Sequence, residues 1–208
     1  MMSIQLDWQR PLDGVEIVPD EIAGEEGVFL TWSDRFGPVS RRCDDLEDPL
    51  ALRLVNCHTP EDMRRFVSRF GFPDDRCDGM GQSYWLALVR DLQRKIEQLL
   101  SATAPAASVD NLRIANDLLK DTKFHPSFEF SEKHGRHVLT MRARTPADLM
   151  AMEVTLAIEV GASLTHCAHC GKAYLTGPLT GRRSHSVYCS DKCRVAAMRL
   201  RNAEKGKR

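Results

Sequence analysis

Leu164-Thr-His-Cys167-Ala-His-Cys170-Gly171-Lys-Ala-Tyr174, with eighteen residues separating its second cysteine from Cys189-Ser-Asp-Lys-Cys193, decides how this chain folds at its C-terminal end. Zinc takes four soft or borderline ligands in a tetrahedron, and thiolates supply them. Two cysteines separated by two residues fit one tight loop with both sulfurs on the same ion. Gly171 gives that loop the backbone freedom to reverse. Cys189 and Cys193 are four residues apart; with Ser190 capping a helix that starts near Asp191, both face the ion from the helix's first turn. Between the two pairs, 173–175 and 186–188 are expected to form a hairpin around 176–183. Knuckle, hairpin and helix in that order make a treble clef. The expected cofactor is one structural zinc held by Cys167, Cys170, Cys189 and Cys193, with no open position for a catalytic water. Four reduced buried cysteines are the plainer reading, and a redox CxxC a third that leaves the second pair unexplained. His166, His169 and His185 are close enough in sequence to compete, and are expected beside the site rather than in it. Loss of one ligand is expected to unfold the tail and leave the rest of the chain folded.

Charge separates this tail from what precedes it. The 208 residues carry no net charge. Residues 162–208, however, hold ten basic side chains against Asp191 and Glu204, a net +8, and the remainder is −8. A basic tail on an acidic body points to a polyanionic partner or to screening of the tail by the body. The other three cysteines, Cys43, Cys57 and Cys77, are scattered. An odd count with one tight cluster argues for metal rather than a disulfide framework. No apolar run approaches the ~20 residues that span a bilayer. The opening residues lack a basic stretch followed by an apolar core, so the expected compartment is the cytoplasm, with no membrane partner.

The body reads as α+β. Ser3–Trp8, Val15–Val18 and Gly27–Trp32 are short, rich in β-branched and aromatic residues, and punctuated by Gly and Pro. Thr59-Pro-Glu-Asp62 opens a helix by cap, proline and first-turn carboxylates, and Gly71 and Pro73 close it. Trp85, Leu88, Leu92, Ile96 and Leu99 predict an amphipathic helix over 82–101. A small-residue linker follows at 101–108, then a short helix marked by Leu112, Ala115 and Leu119. Ser127–Phe130 and Arg136–Met141 predict a hairpin turning at Gly135. Thr145-Pro-Ala-Asp148 repeats the earlier helix start. It opens a helix to about Val160 that is apolar on most sides, expected to be the central buried one and available to a homodimer; Gly161 suits its C-cap. The expected division is a mixed N-terminal domain, 1–162, and a zinc finger with a basic helix, 163–208.

From about Asn111 onward the chain resembles bacterial proteins with a CGNR-type zinc finger, in which an α+β domain often called ABATE precedes the finger. The hairpin, the apolar helix opened by Thr145-Pro, Leu164–Tyr174, Gly181-Arg-Arg183 and Tyr188-Cys-Ser190 carry the resemblance, and Leu54-Val-Asn56 with Thr59-Pro-Glu-Asp62 extends it more weakly. The chain departs from the pattern after Cys193, where Arg194-Val-Ala-Ala-Met198 stands in place of Gly-Asn-Arg. The resemblance implies a DNA-binding transcription regulator whose N-terminal domain senses a small-molecule ligand or a protein partner.

The residues themselves allow two readings of the tail. In the first, Arg182, Arg183, Lys192, Arg194, Arg199, Arg201 and Lys205 meet DNA. Arg194, Arg201 and Lys205 share one side of the helix with Met198, while Val195, Ala196 and Leu200 pack back on the knuckle. In the second, the finger is a zinc-stabilised protein-interaction module that uses Tyr174, Tyr188 and Met198, and touches no nucleic acid. No P-loop, dinucleotide fingerprint or nucleophile elbow is present, so no enzyme is expected. His125, His134 and His137 are read as turn and surface histidines, and Cys57-His58 as part of a helix entry.

Overall fold

The computed structural model describes residues 3–19, 28–74, 83–101, 109–131 and 135–205. The linker 102–108, the turn residues 132–134, Cys77, and Lys207 with Arg208 lie outside that set. In chain order come β1 (Ser3–Pro11), β2 (Glu16–Pro19), β3 (Val28–Thr31), β4 (Phe36–Cys43), α1 (Leu50–Val55), α2 (Pro60–Phe70), β5 (Ser83–Trp85) and α3 (Leu86–Ser101). Then follow α4 (Val109–Lys120), β6 (Phe124–Ser131), β7 (Arg136–Ala143), α5 (Pro146–Glu159), β8 (Ser163–His166), β9 (Ala173–Thr176) and α6 (Asp191–Lys205). The class is α+β.

In β1, Ile4 and Leu6 are buried and Gln5 and Asp7 are not, the alternation of a half-buried strand. β1 is the seam of a four-stranded sheet ordered β4-β1-β7-β6, antiparallel to β4 and parallel to β7. A second, antiparallel sheet runs β2-β3-β5. The two helix starts read from sequence are both complete capping boxes. Thr59 Oγ1 accepts from Asp62 N at 3.1 Å and Asp62 accepts from Thr59 N at 3.0 Å. Thr145 and Asp148 repeat this at 3.2 and 2.9 Å. Gly71 ends α2 at φ +86°, and a β-carbon there would stand 2.4 Å from the Gln9 carbonyl oxygen. No other residue type fits that crossing without displacing β1.

α5 is the central helix, packed against α1, α3, α4, β1 and β7. Leu149, Met150, Val154 and Ala157 are fully enclosed in the chain's own core. Two residues of that helix are charged and buried, Asp148 in its capping box and Glu153 at its middle. Glu153 Oε2 accepts from Ala51 N at 2.8 Å, serving the first turn of α1, whose own N-cap position is Pro49 and supplies no side-chain cap. Burial pushes the Glu153 carboxyl up to about 7, against the pull of the Ala51 and Leu50 amides.

Three features differ from the expectations. The helix foreseen over 82–101 begins only at Leu86, because Tyr84 and Trp85 pair with Leu30 and Phe29 as a strand. β4 and α1 had no reading of their own. The hairpin of the finger is also a different one: β9 pairs with β8, the segment before the knuckle, and 186–188 is not a strand. Among the described residues no helix is long and apolar enough to cross a membrane.

Candidate metal centre

β8 and β9 run antiparallel with Ser163 opposite Thr176 and His166 opposite Ala173, and the knuckle Cys167–Cys170 sits at the tip of that hairpin. Cys167 N donates to Lys172 O and Gly171 N to Cys167 O, both at 2.9 Å, and Gly171 takes φ +73° to close the loop. Ala168 N reaches the Val187 carbonyl at 3.0 Å, bringing the knuckle against the segment that carries the second pair. Ser190 caps α6 as the sequence implied, its Oγ accepting from Cys193 N at 3.3 Å. Cys189 and Cys193 are thereby set just before and within the helix's first turn.

The four Sγ atoms lie within 4.8 Å of one another. Cys189 Sγ is 3.6 Å from Cys170 Sγ and 3.5 Å from Cys193 Sγ. A disulfide requires about 2.05 Å. A tetrahedron with zinc–sulfur bonds of ~2.3 Å has sulfurs ~3.8 Å apart, so these residues fit one structural zinc. Electrostatics points the same way. Burial pushes the Cys167 thiol up, but backbone N–H groups of Cys189, Cys170 and His169 outweigh it and hold the thiol well below its ordinary value. Cys189 is pushed up, by burial first and then by its three neighbouring thiols. One thiolate is favoured and further ones repel; a divalent cation at the centroid removes that repulsion.

The loop between the pairs is built around Tyr174 and Arg182. Tyr174 is buried, and its hydroxyl donates to Ser186 O at 2.6 Å. The Arg182 guanidinium lies 5.7 Å from the Tyr174 ring centre, with Nε donating to Cys189 O at 3.0 Å and one Nη to Thr180 O at 3.3 Å. Arg182, expected at a DNA contact, is thus engaged in holding the second cysteine pair. A single bridge, Gly177 to Arg182, is all the pairing within 176–183.

The finger is seated in the body. All four residues of β9 are buried, and Cys167, Tyr174 and Leu175 belong to the same apolar cluster as α1, α3 and α5. The Asn56 side chain imitates a strand neighbour to Ala173: Nδ2 donates to Ala173 O at 2.9 Å and Oδ1 accepts from Ala173 N at 2.8 Å. Leu46 N donates to Leu179 O at 2.8 Å, and Glu47 lies against Gly181. Composition carried no signal for Asn56 in this role; only its place in Leu54-Val-Asn56 singled it out.

The remaining candidates are dispersed. Arg183, Lys192, Arg194, Arg199 and Arg201 are exposed, with Arg194 Nε 3.1 Å from Asp191. Lys205 ends α6, and its side chain lies outside the described residues. Val195 and Ala196 are half-buried as expected, but Leu200 is 57% exposed because α6 outruns the small body beneath it. His125 stands opposite Arg142 and His137 opposite Phe130 in the β6–β7 ladder, which places the two histidines on opposite faces. Cys57 is buried and its thiol raised to about 11, by burial and then by Asp62. Comparison with protein-family models gives no match, and comparison with curated proteins gives none either.

Proposed function

We propose that the zinc centre presents α6 to DNA, and that the protein is a DNA-binding transcription regulator of the CGNR-type zinc-finger class. The observation that carries this is the setting of α6. Its base is fixed by Cys189, Cys193 and the Ser190 cap. Its 15 residues extend about 22 Å; the exposed cations Lys192 and Arg194 flank Cys193 at the base, and Arg199 and Arg201 stand on the part that leaves the body. Exposed Arg183 on the neighbouring loop extends the same charge. Guanidinium and ammonium groups on phosphate supply affinity through counterion release, and an exposed helix of this length suits the major groove.

A second reading rests on a specific observation: Val187, Met198 and Leu200 are 56%, 48% and 57% exposed on the finger. An apolar trio there suits a protein partner held by the zinc-stabilised module.

Fluorescence anisotropy of the zinc-loaded chain on a random duplex, at about 50 and 200 mM salt and with or without chelator, separates the two. Five phosphate contacts predict an affinity loss of about 10²–10³ across that salt range, and Arg199→Ala lowers the salt slope by about one. Absence of binding at low salt with zinc bound to the protein sinks the DNA reading and leaves the interaction module.

A further inference from the structure

Between α3, the turn joining α1 to α2, and the edge of β3 and β5 lies a cavity of about 740 Å³. That is the size of a small-molecule site. Its floor is apolar: Met63 and Leu86 are buried there, with Val28 beside them. Trp85 forms one wall, its ring set against Phe29 with centroids 4.4 Å apart and planes at 61°, so the indole is held in place.

The polar groups of this cavity are unusual in sign. Arg90 and Arg94 stand one turn apart on α3, His58 faces them from the α1–α2 turn, and no carboxylate is among the described lining residues. Arg94 has Asp91 at 3.3 Å on the helix surface. The Arg90 side chain has no hydrogen bond or ion pair among the described residues. Gln93, between them, is committed elsewhere: Nε2 donates to the carbonyls of Leu54, Val55 and Cys57 at 3.0, 3.2 and 2.6 Å. It stiffens the turn rather than meeting a ligand. A neighbouring cleft of about 750 Å³ between α3 and α4 is lined by both signs, with Asp117 and Asp121 near Lys123 and Arg144, and so selects no charge.

We infer that the cavity bounded by α3 and the α1–α2 turn binds a small organic anion, a flat apolar body against Trp85 with one carboxylate or phosphate held by Arg90 and Arg94. The guanidinium fork matches either oxyanion in a bidentate pair, and burial of the ring against Trp85, Met63 and Leu86 supplies the apolar contribution. The ligand would rest on the turn that includes Asn56, the residue that clamps the finger's hairpin.

Calorimetric titration of the zinc-loaded full chain tests this with three probes: 2-naphthoate, 1-naphthyl phosphate and the neutral 2-naphthamide. The expected result is saturable 1:1 binding of at least one anion. The amide should bind about tenfold more weakly or worse, as should the anion to Arg90→Glu, with Arg90→Lys recovering part of the loss. The anion that binds more tightly identifies carboxylate or phosphate as the natural head group. Arg90 is exposed on α3, so the variants should keep the wild-type melting temperature and zinc content. No saturable heat from either anion at about 5 mM, or equal binding of amide and anion, or indifference to Arg90→Glu, overturns the proposal. None of these readouts involves DNA, so the site stands or falls apart from the regulator reading.

Discussion

The finger and the body in front of it bury their atoms in different ways. In the body, order comes from many weak contacts: α5 is enclosed by three helices and a sheet, and Leu6, Leu54, Val67 and Leu149 are each almost wholly removed from water. In the finger outside its β8–β9 hairpin little apolar surface is buried. Cys170 is exposed, Cys189 and Cys193 half-exposed, and most of α6 lies in solvent. One ion at four sulfurs must do there what a core does elsewhere. The two regions therefore respond to different agents. Where they meet, at β9, each depends on the other.

The largest effect expected is on metal removal. Structural zinc contributes on the order of 10 kcal/mol to modules of this kind. Chelation, or Cys189→Ser, should release 177–205 to protease and abolish whatever α6 binds. The tail alone was expected to unfold, but β9 lies inside the body's core, so the body should also melt at a lower temperature. Calorimetry with and without chelator measures this. An unchanged body transition would mean that the seam carries no stability.

The body's own sensitive point responds to protons. The Glu153 carboxyl rises from an ordinary value near 4.5 to about 7 on folding. Its contribution is therefore fully present below about 4.5 and is lost as pH rises through about 7. A shift of that size corresponds to roughly 3 kcal/mol. Glu153→Gln keeps an acceptor for the Ala51 amide without the charge. Its stability gain over wild type should grow from little near pH 5 to about 3 kcal/mol above pH 7, read from urea unfolding of the zinc-loaded proteins. A difference that stays flat with pH would show that the buried carboxyl does not titrate in this window.

Sequence legibility followed the same division. The four cysteines, the Ser190 cap and the Gly171 reversal are local and could be read from spacing, as could both Thr-Pro-x-Asp helix starts and the β6–β7 hairpin. What escaped depends on distant residues. α1 receives its N-terminal acceptor from Glu153, 102 positions away, and its own Pro49 gives no cap signal. Trp85 continues the apolar stripe of α3, but β3 recruits it into a sheet. The partner of β9 was misplaced because 186–188 is as β-prone as Ser163–His166, and the loop's turn geometry at Gly177 and Leu179 is not written in composition. Arg182 looked like its basic neighbours until the Tyr174 ring and the Cys189 carbonyl were placed beside it.

Asn56 tests the seam with the smallest change. Its side chain satisfies both backbone groups of Ala173 at 2.9 and 2.8 Å, and no other residue type has donor and acceptor at that reach with that shape. Asn56→Ala leaves those two groups of buried Ala173 without partners, at a cost of about 2 kcal/mol. Were finger and body merely tethered, that loss would appear only in the body's melting. Because Ala173 follows the knuckle by three residues, loosening it also relaxes the loop that positions Cys167 and Cys170. Competition with a chromophoric chelator should therefore find zinc held about tenfold less tightly in Asn56→Ala, with Asn56→Asp intermediate because it keeps the acceptor and loses the donor. Unaltered zinc affinity alongside a lowered melting temperature would separate the regions again and confine Asn56 to packing.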